Sequence, residues 1–136
     1  MLNIRILERC REDSRNYWAA LDRRNRTRES SLFVSSPRGG ERVQTSGAGS
    51  PTEAAALEMI AADEALSETI ERLAENQIVA YDAIFSMSDG GDRAILIAYY
   101  LDVELPTVEQ IANKWGVSLM TVNRLKSRAV KRFGAI

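Results

Sequence analysis

Apolar positions along this chain recur at the three- and four-residue spacing of helices. Leu2, Ile6, Leu7, Cys10, Tyr17, Trp18 and Leu21 follow it in part, with arginines between them. They predict an N-terminal helical segment over residues 1–29 whose Tyr17 and Trp18 dock on the rest of the protein. Across residues 30–50 the pattern fails, and Ser, Gly and Pro dominate. Ordering such a stretch costs about 1–2 kcal/mol per residue in backbone entropy, with little apolar surface to offset it. A flexible linker is predicted there, with Leu32, Phe33 and Val34 as a docking peptide or short strand. Helix resumes near Pro51, which suits a first turn, with Ser50 as the cap. Leu66, Ile70, Leu73, Gln77, Ala80 and Ile84 then alternate four and three apart, and Ile78, Tyr81 and Phe85 widen the stripe. A long central helix of this kind needs a partner. Packing against the rest of the chain is favoured over a homodimer, because the seam is short and carries the polar Gln77.

Residues 86–91 interrupt the helix, and a further one is predicted over residues 93–101. Its Ile95, Leu96, Ala98, Tyr99 and Leu101 should pack on Ile111 and Val122. Pro106 stops any continuation, and Thr107 with Gln110 has the spacing of a capping box. Residues 107–133 then have the layout of a helix-turn-helix. The small Ala112 lets a second helix cross the first, and Gly116 supplies the positive φ of the turn. Val117 is expected to plug the angle between the helices, Ser118 to cap the second, and Trp115 to close over the core. Val122, Leu125, Ala129 and Phe133 lie three, four and four apart and form one apolar stripe. The fold class is therefore all-α: N-terminal helix, linker, long central helix, and a C-terminal helix-turn-helix bundle, with residues 51–136 as one helical domain.

Charge changes this picture by showing where a polyanion can bind. Net charge is −1, but residues 1–29 carry +3, residues 51–92 carry −9 and residues 93–136 carry +4. No acid follows Glu109, and the last helix alone holds Arg124, Lys126, Arg128, Lys131 and Arg132. Phosphates along a duplex reward one-signed charge through counterion release, whereas base edges need forked donors such as Asn and Arg. The acidic middle repels DNA, so binding is confined to the ends. The expected DNA-binding residues are Ser118, Leu119, Met120, Thr121, Asn123, Arg124, Lys126, Ser127, Arg128, Lys131 and Arg132. Asn123 and Arg124 are assigned to bases, and Lys126, Arg128, Lys131 and Arg132 mainly to phosphate.

Residues 93–133, RAILIAYYLDVELPTVEQIANKWGVSLMTVNRLKSRAVKRF, resemble the fourth region of bacterial sigma factors. The resemblance rests on Tyr99, Tyr100, Leu101 and Asp102 ahead of the helix-turn-helix and on Arg128 with Ala129 near its end. It implies that Leu119, Met120, Asn123 and Arg124 occupy base-reading positions. Leu119 and Met120 stand where that family usually has charged side chains, so contact with thymine methyls takes the place of ionic readout. The order of segments along the whole chain is similar to that of small phage-encoded regulators of the ArpU and RinA type. This implies control of phage or prophage genes; the expected partner is double-stranded DNA, read from the helix-turn-helix and its charge, with RNA polymerase as an alternative partner of a sigma-like domain.

Other classes find little support. There is no His, the commonest general acid–base near neutral pH, so an enzyme is not expected. A metal or other cofactor is not expected either, since no Cys or His cluster exists. The single Cys10, the absence of a membrane-length apolar run and the charged residues directly after Leu7 favour the cytoplasm, and the resemblance to phage regulators implies that of a bacterial host. Two alternatives to a transcriptional regulator stand: a factor that docks on RNA polymerase with DNA secondary, and a recognition subunit for phage DNA packaging.

Overall fold

The computed structural model describes residues 4–35 and 49–136. Among them there are five α-helices and no strand: α1 (Arg5–Ser35), α2 (Gly49–Phe85), α3 (Gly90–Leu96), α4 (Val108–Trp115) and α5 (Leu119–Gly134). A π turn, Ile97–Leu101, continues α3. The interior of the stretch read as linker, residues 36–48, lies outside the described residues, but its two ends are helical. Extending a formed helix adds one hydrogen bond per residue fixed, so α1 runs on through Leu32, Phe33 and Val34, where a strand or docking peptide was expected. Ser50 lies within the first turn of α2 instead of capping it.

The described chain falls into two compact units, one formed by residues 4–16 and 71–136, the other by the described residues between 17 and 70. In the second, Ala62 is buried and Arg24 Nε pairs with Asp63 Oδ1 at 2.8 Å. Trp18, expected to dock, is 41% exposed, with its ring edge-on to Tyr17 at 5.3 Å. The inward row of α1 comes earlier, at Leu7, Cys10 and Ser14, three and four residues apart and all within the first unit.

That first unit holds the main core. Leu7 and Cys10 of α1, Ala80, Ala83 and Ile84 of α2, and Ile95, Leu96 and Leu101 pack with Ile111, Val122, Ala129 and Phe133. Burying one of the larger of these side chains stabilises by about 1.5–3 kcal/mol. Of the central seam, Leu73, Ala80 and Ile84 are buried, while Ile70, Ile78 and Phe85 are exposed. The polar Gln77 has a clear role, since its Nε2 donates to the carbonyl of Leu101 at 3.0 Å, closing the end of the π turn. Phe85 stacks on Tyr81 at 5.9 Å, outside the core.

Arg11 ties α1 to the loop that leads into the helix-turn-helix. It donates from Nη1 to the carbonyl of Tyr99 at 2.6 Å and from Nη2 to that of Pro106 at 3.1 Å. Between those acceptors Leu105 has φ 55°, a left-handed backbone that a branched residue adopts only when its surroundings hold it there. The Cys10 thiol is pushed up to about 12, first by burial and then by the charge of Asp13. Cys10 is therefore expected to resist iodoacetamide at pH 8 in the native protein and to react within minutes in denaturant, as mass spectrometry would record. Rapid native labelling would contradict its burial.

Candidate nucleic-acid interface

Short-range chemistry fixes both helices of the helix-turn-helix. Thr107 Oγ1 accepts from the Gln110 N–H at 3.1 Å, and Gln110 Oε1 accepts from the Thr107 N–H at 2.9 Å, a closed capping box at the start of α4. α4 ends at Gly116, with φ 69° and ψ 33°, and the next N–H, of Val117, donates to the Ala112 carbonyl at 3.0 Å. Ser118 Oγ then accepts from the Thr121 N–H at 3.1 Å and starts α5. A Cβ at Gly116 meets nothing within 4 Å, so only the backbone penalises a side chain there. Gly116→Val is expected to lower unfolding free energy by about 1–2 kcal/mol, and Gly116→Asn by less. Equal denaturation midpoints for the two variants would contradict this.

Two sequence expectations about the turn are corrected. Val117 is 41% exposed and does not plug the interhelical angle, and Trp115 is 36% exposed and lies at the rim, not over the core. Val122, fully buried one turn into α5, fills the angle together with Ile111 and Ala112.

α5 is sorted cleanly by its own periodicity. Val122, Ala129 and Phe133 are buried, with Leu125 partly buried beside them. At 100° per residue Met120, Arg124, Ser127 and Lys131 fall in a sector of roughly 60° on the opposite side. All four are exposed, as are Asn123, Leu119, Thr121 and Ser118 near the N-terminal end. The helix contains no acid. Among the described residues neither Arg124 nor Lys131 enters an ion pair.

The other three cations expected on this face are engaged within the protein. Lys126 Nζ lies 4.0 Å from the centre of the Tyr99 ring, which also receives the Arg11 guanidinium at 4.0 Å. Arg128 Nε donates to Asp92 Oδ1 at 3.1 Å. Arg132 Nη1 donates to Asp92 Oδ2 at 2.9 Å and to Asp89 Oδ2 at 3.2 Å. The Asp92 side chain is wholly buried, while those of Arg128 and Arg132 are about half exposed. Asp89 caps α3, accepting from the backbone N–H groups of Gly91 at 2.8 Å and Asp92 at 3.0 Å. The Asp89 carboxyl lies below its usual value, first because it accepts from the Asp92 N–H; desolvation opposes, and the Gly91 N–H and the charges of Arg128 and Arg132 add. The Arg132 guanidinium is pushed up, first by its hydrogen bond to Asp92 and then by that carboxylate's charge.

Asp89 and Asp92 escaped the sequence reading, which counted them only as part of an acidic middle. The signal available was an Asp three residues before another Asp at a helix start, an N-cap pattern. α3 accordingly begins at Gly90, three residues ahead of the predicted start.

Residues 89–133 match the family model described as Sigma-70, region 4. The match starts at the Asp89 cap and ends at the buried Phe133, about a third of the chain. It agrees with the sequence resemblance: this part of the chain is a region 4-like helix-turn-helix, a DNA-binding kind of domain. No curated protein and no solved structure matches the chain. No helix among the described residues is long and apolar enough to cross a membrane.

Proposed function

We propose that this protein is a sequence-specific transcriptional regulator that places α5 in the major groove of duplex DNA. The observation that carries this reading is the exposed row Met120, Arg124, Ser127 and Lys131, set opposite the buried stripe of a helix without a single acid. Asn123 and Arg124 read base edges, Leu119 and Met120 touch thymine methyls, and Lys131, with the hydroxyls of Ser118, Thr121 and Ser127, meets the backbone. No catalytic role is assigned to any residue. The likeness in layout to regulators of the ArpU and RinA type makes phage or prophage genes the proposed target and the bacterial cytoplasm the proposed site of action. Leu73, Ala80 and Ile84 of the central seam are buried within the chain, in line with intramolecular packing, which leaves the exposed Ile78 and Phe85 of α2 as the surface for a homodimer.

Selection of bound duplexes from a random pool and from phage genomic fragments tests the reading. The expected result is one enriched sequence whose footprint lies at a promoter. A footprint at a packaging site would favour the packaging alternative, and no enrichment at low salt would overturn DNA recognition altogether. A second reading, docking on RNA polymerase, draws on a groove of about 640 Å³ whose lining includes Tyr81, Ile97 and Leu101 together with the charged Asp102, Glu104 and Lys114. If it holds, added polymerase should be retained by the protein without DNA.

A further inference from the structure

Arg128 and Arg132 leave α5 one turn apart on a flank between the buried stripe and the exposed row. Each grips a different oxygen of Asp92, whose carboxylate is completely buried at the start of α3. Asp89, fixed by two backbone N–H groups, sits against the same two guanidiniums, 3.8 Å from Arg128 Nη2 and 3.2 Å from Arg132 Nη1. The stripe of Val122, Ala129 and Phe133 fixes which side of α5 faces inward, but apolar burial is non-directional and leaves the helix the freedom of small rotations about its axis. Two forked donors on one immobile carboxylate remove that freedom, because a slip of one residue would turn both away from Asp92 by about 100°.

From this geometry we propose that Arg128 and Arg132 are withheld from DNA and act with Asp92 as positioning residues that set the roll of α5, and thus which side chains reach the bases. The proposal rests on the DNA-binding reading and deepens it. It reassigns two of the four cations that charge counting had given to phosphate and leaves Arg124 and Lys131 as the cations of α5 free to face the duplex. Specificity and salt dependence then belong to different residues: the first needs the Asp92 cluster, the second does not.

Salt titrations of the full chain on its selected site and on a scrambled duplex separate the roles. Lys131→Ala is expected to reduce the slope of log K against log salt by about 0.9, the value for one phosphate. Arg128→Ala and Arg132→Ala are expected to leave that slope unchanged while the ratio of selected to scrambled affinity falls about fivefold to a hundredfold, the worth of one misplaced base contact. Asp92→Asn keeps the shape and frees both arginines, so scrambled affinity and slope should rise as the ratio falls. Because that variant changes a buried group, Arg128→Lys serves beside it: charge is kept but the fork is lost, and the ratio should still fall. Mere loss of folded protein would lower both affinities by one factor and leave the ratio intact, which overturns the proposal, as does a slope reduced by about 0.9 in Arg128→Ala. A wild-type chain that binds no duplex sinks the DNA-binding reading and this one with it, whereas binding with an unmoved ratio sinks this one alone.

Discussion

Replacing Phe133 by alanine is expected to cost about 3–5 kcal/mol of stability. Phe133 is the largest fully buried side chain among the described residues and sits in the same cluster as Leu7, Ile84, Ile95 and Ala129. Truncation would leave a cavity where α1, α2, α3 and α5 meet, and the backbone of four helices cannot collapse into it together. Small domains are stable by about 5–15 kcal/mol, so much of the margin would go. Thermal melting followed by circular dichroism should show a drop of more than about 10 °C, with DNA affinity falling in step with the folded fraction. A melting point within about 3 °C of wild type would mean that Phe133 is not the centre of the core.

Arg124→Ala should act in the opposite manner, leaving the melting curve in place and removing recognition. Arg124 is exposed on the row facing away from the core, and among the described residues it enters no ion pair, so nothing inside the protein depends on it. Loss of a forked donor to a base edge is expected to cost about 1–3 kcal/mol at the selected site, roughly 5- to 150-fold in affinity, and to relax preference at one base pair. The check is a competition assay with that base pair varied. Unchanged binding to every duplex would show that α5 presents some other face.

The helix-turn-helix was legible in the sequence because its determinants are local. The Thr107 and Gln110 box, Gly116, the Ser118 cap and the stripe from Val122 to Phe133 each act within a few residues, and the structure has them all. Less was legible where distant residues decide. Sign alone gives four of the five cations on α5 to phosphate, but the internal partners of three lie far off in sequence. Asp92 is 36 and 40 positions from Arg128 and Arg132, and Tyr99 is 27 from Lys126. Trp115 is expected from its position to close over the core and Val117 to plug the helix angle, yet both are exposed and Val122 is the buried residue there. In α1 the apolar spacing includes Leu7 and Cys10, but only the structure adds the polar Ser14 to their buried row and leaves Trp18 exposed. The end of α1 was misplaced because Ser-rich composition says little about a helix already under way.

Ile4 approaches Gly134 so closely that a Cβ there would lie 3.0 Å from its Cδ1, and Leu7 shares a cluster with Phe133. Residues near the start of α1 are thus completed by residues near the end of α5, which are made much later. At translation rates of about 5–20 residues per second, the row of Leu7 and Cys10 waits on the order of ten seconds for its C-terminal neighbours. Most contacts of this helical fold are local, so this closure across nearly the whole sequence is the step expected to form last.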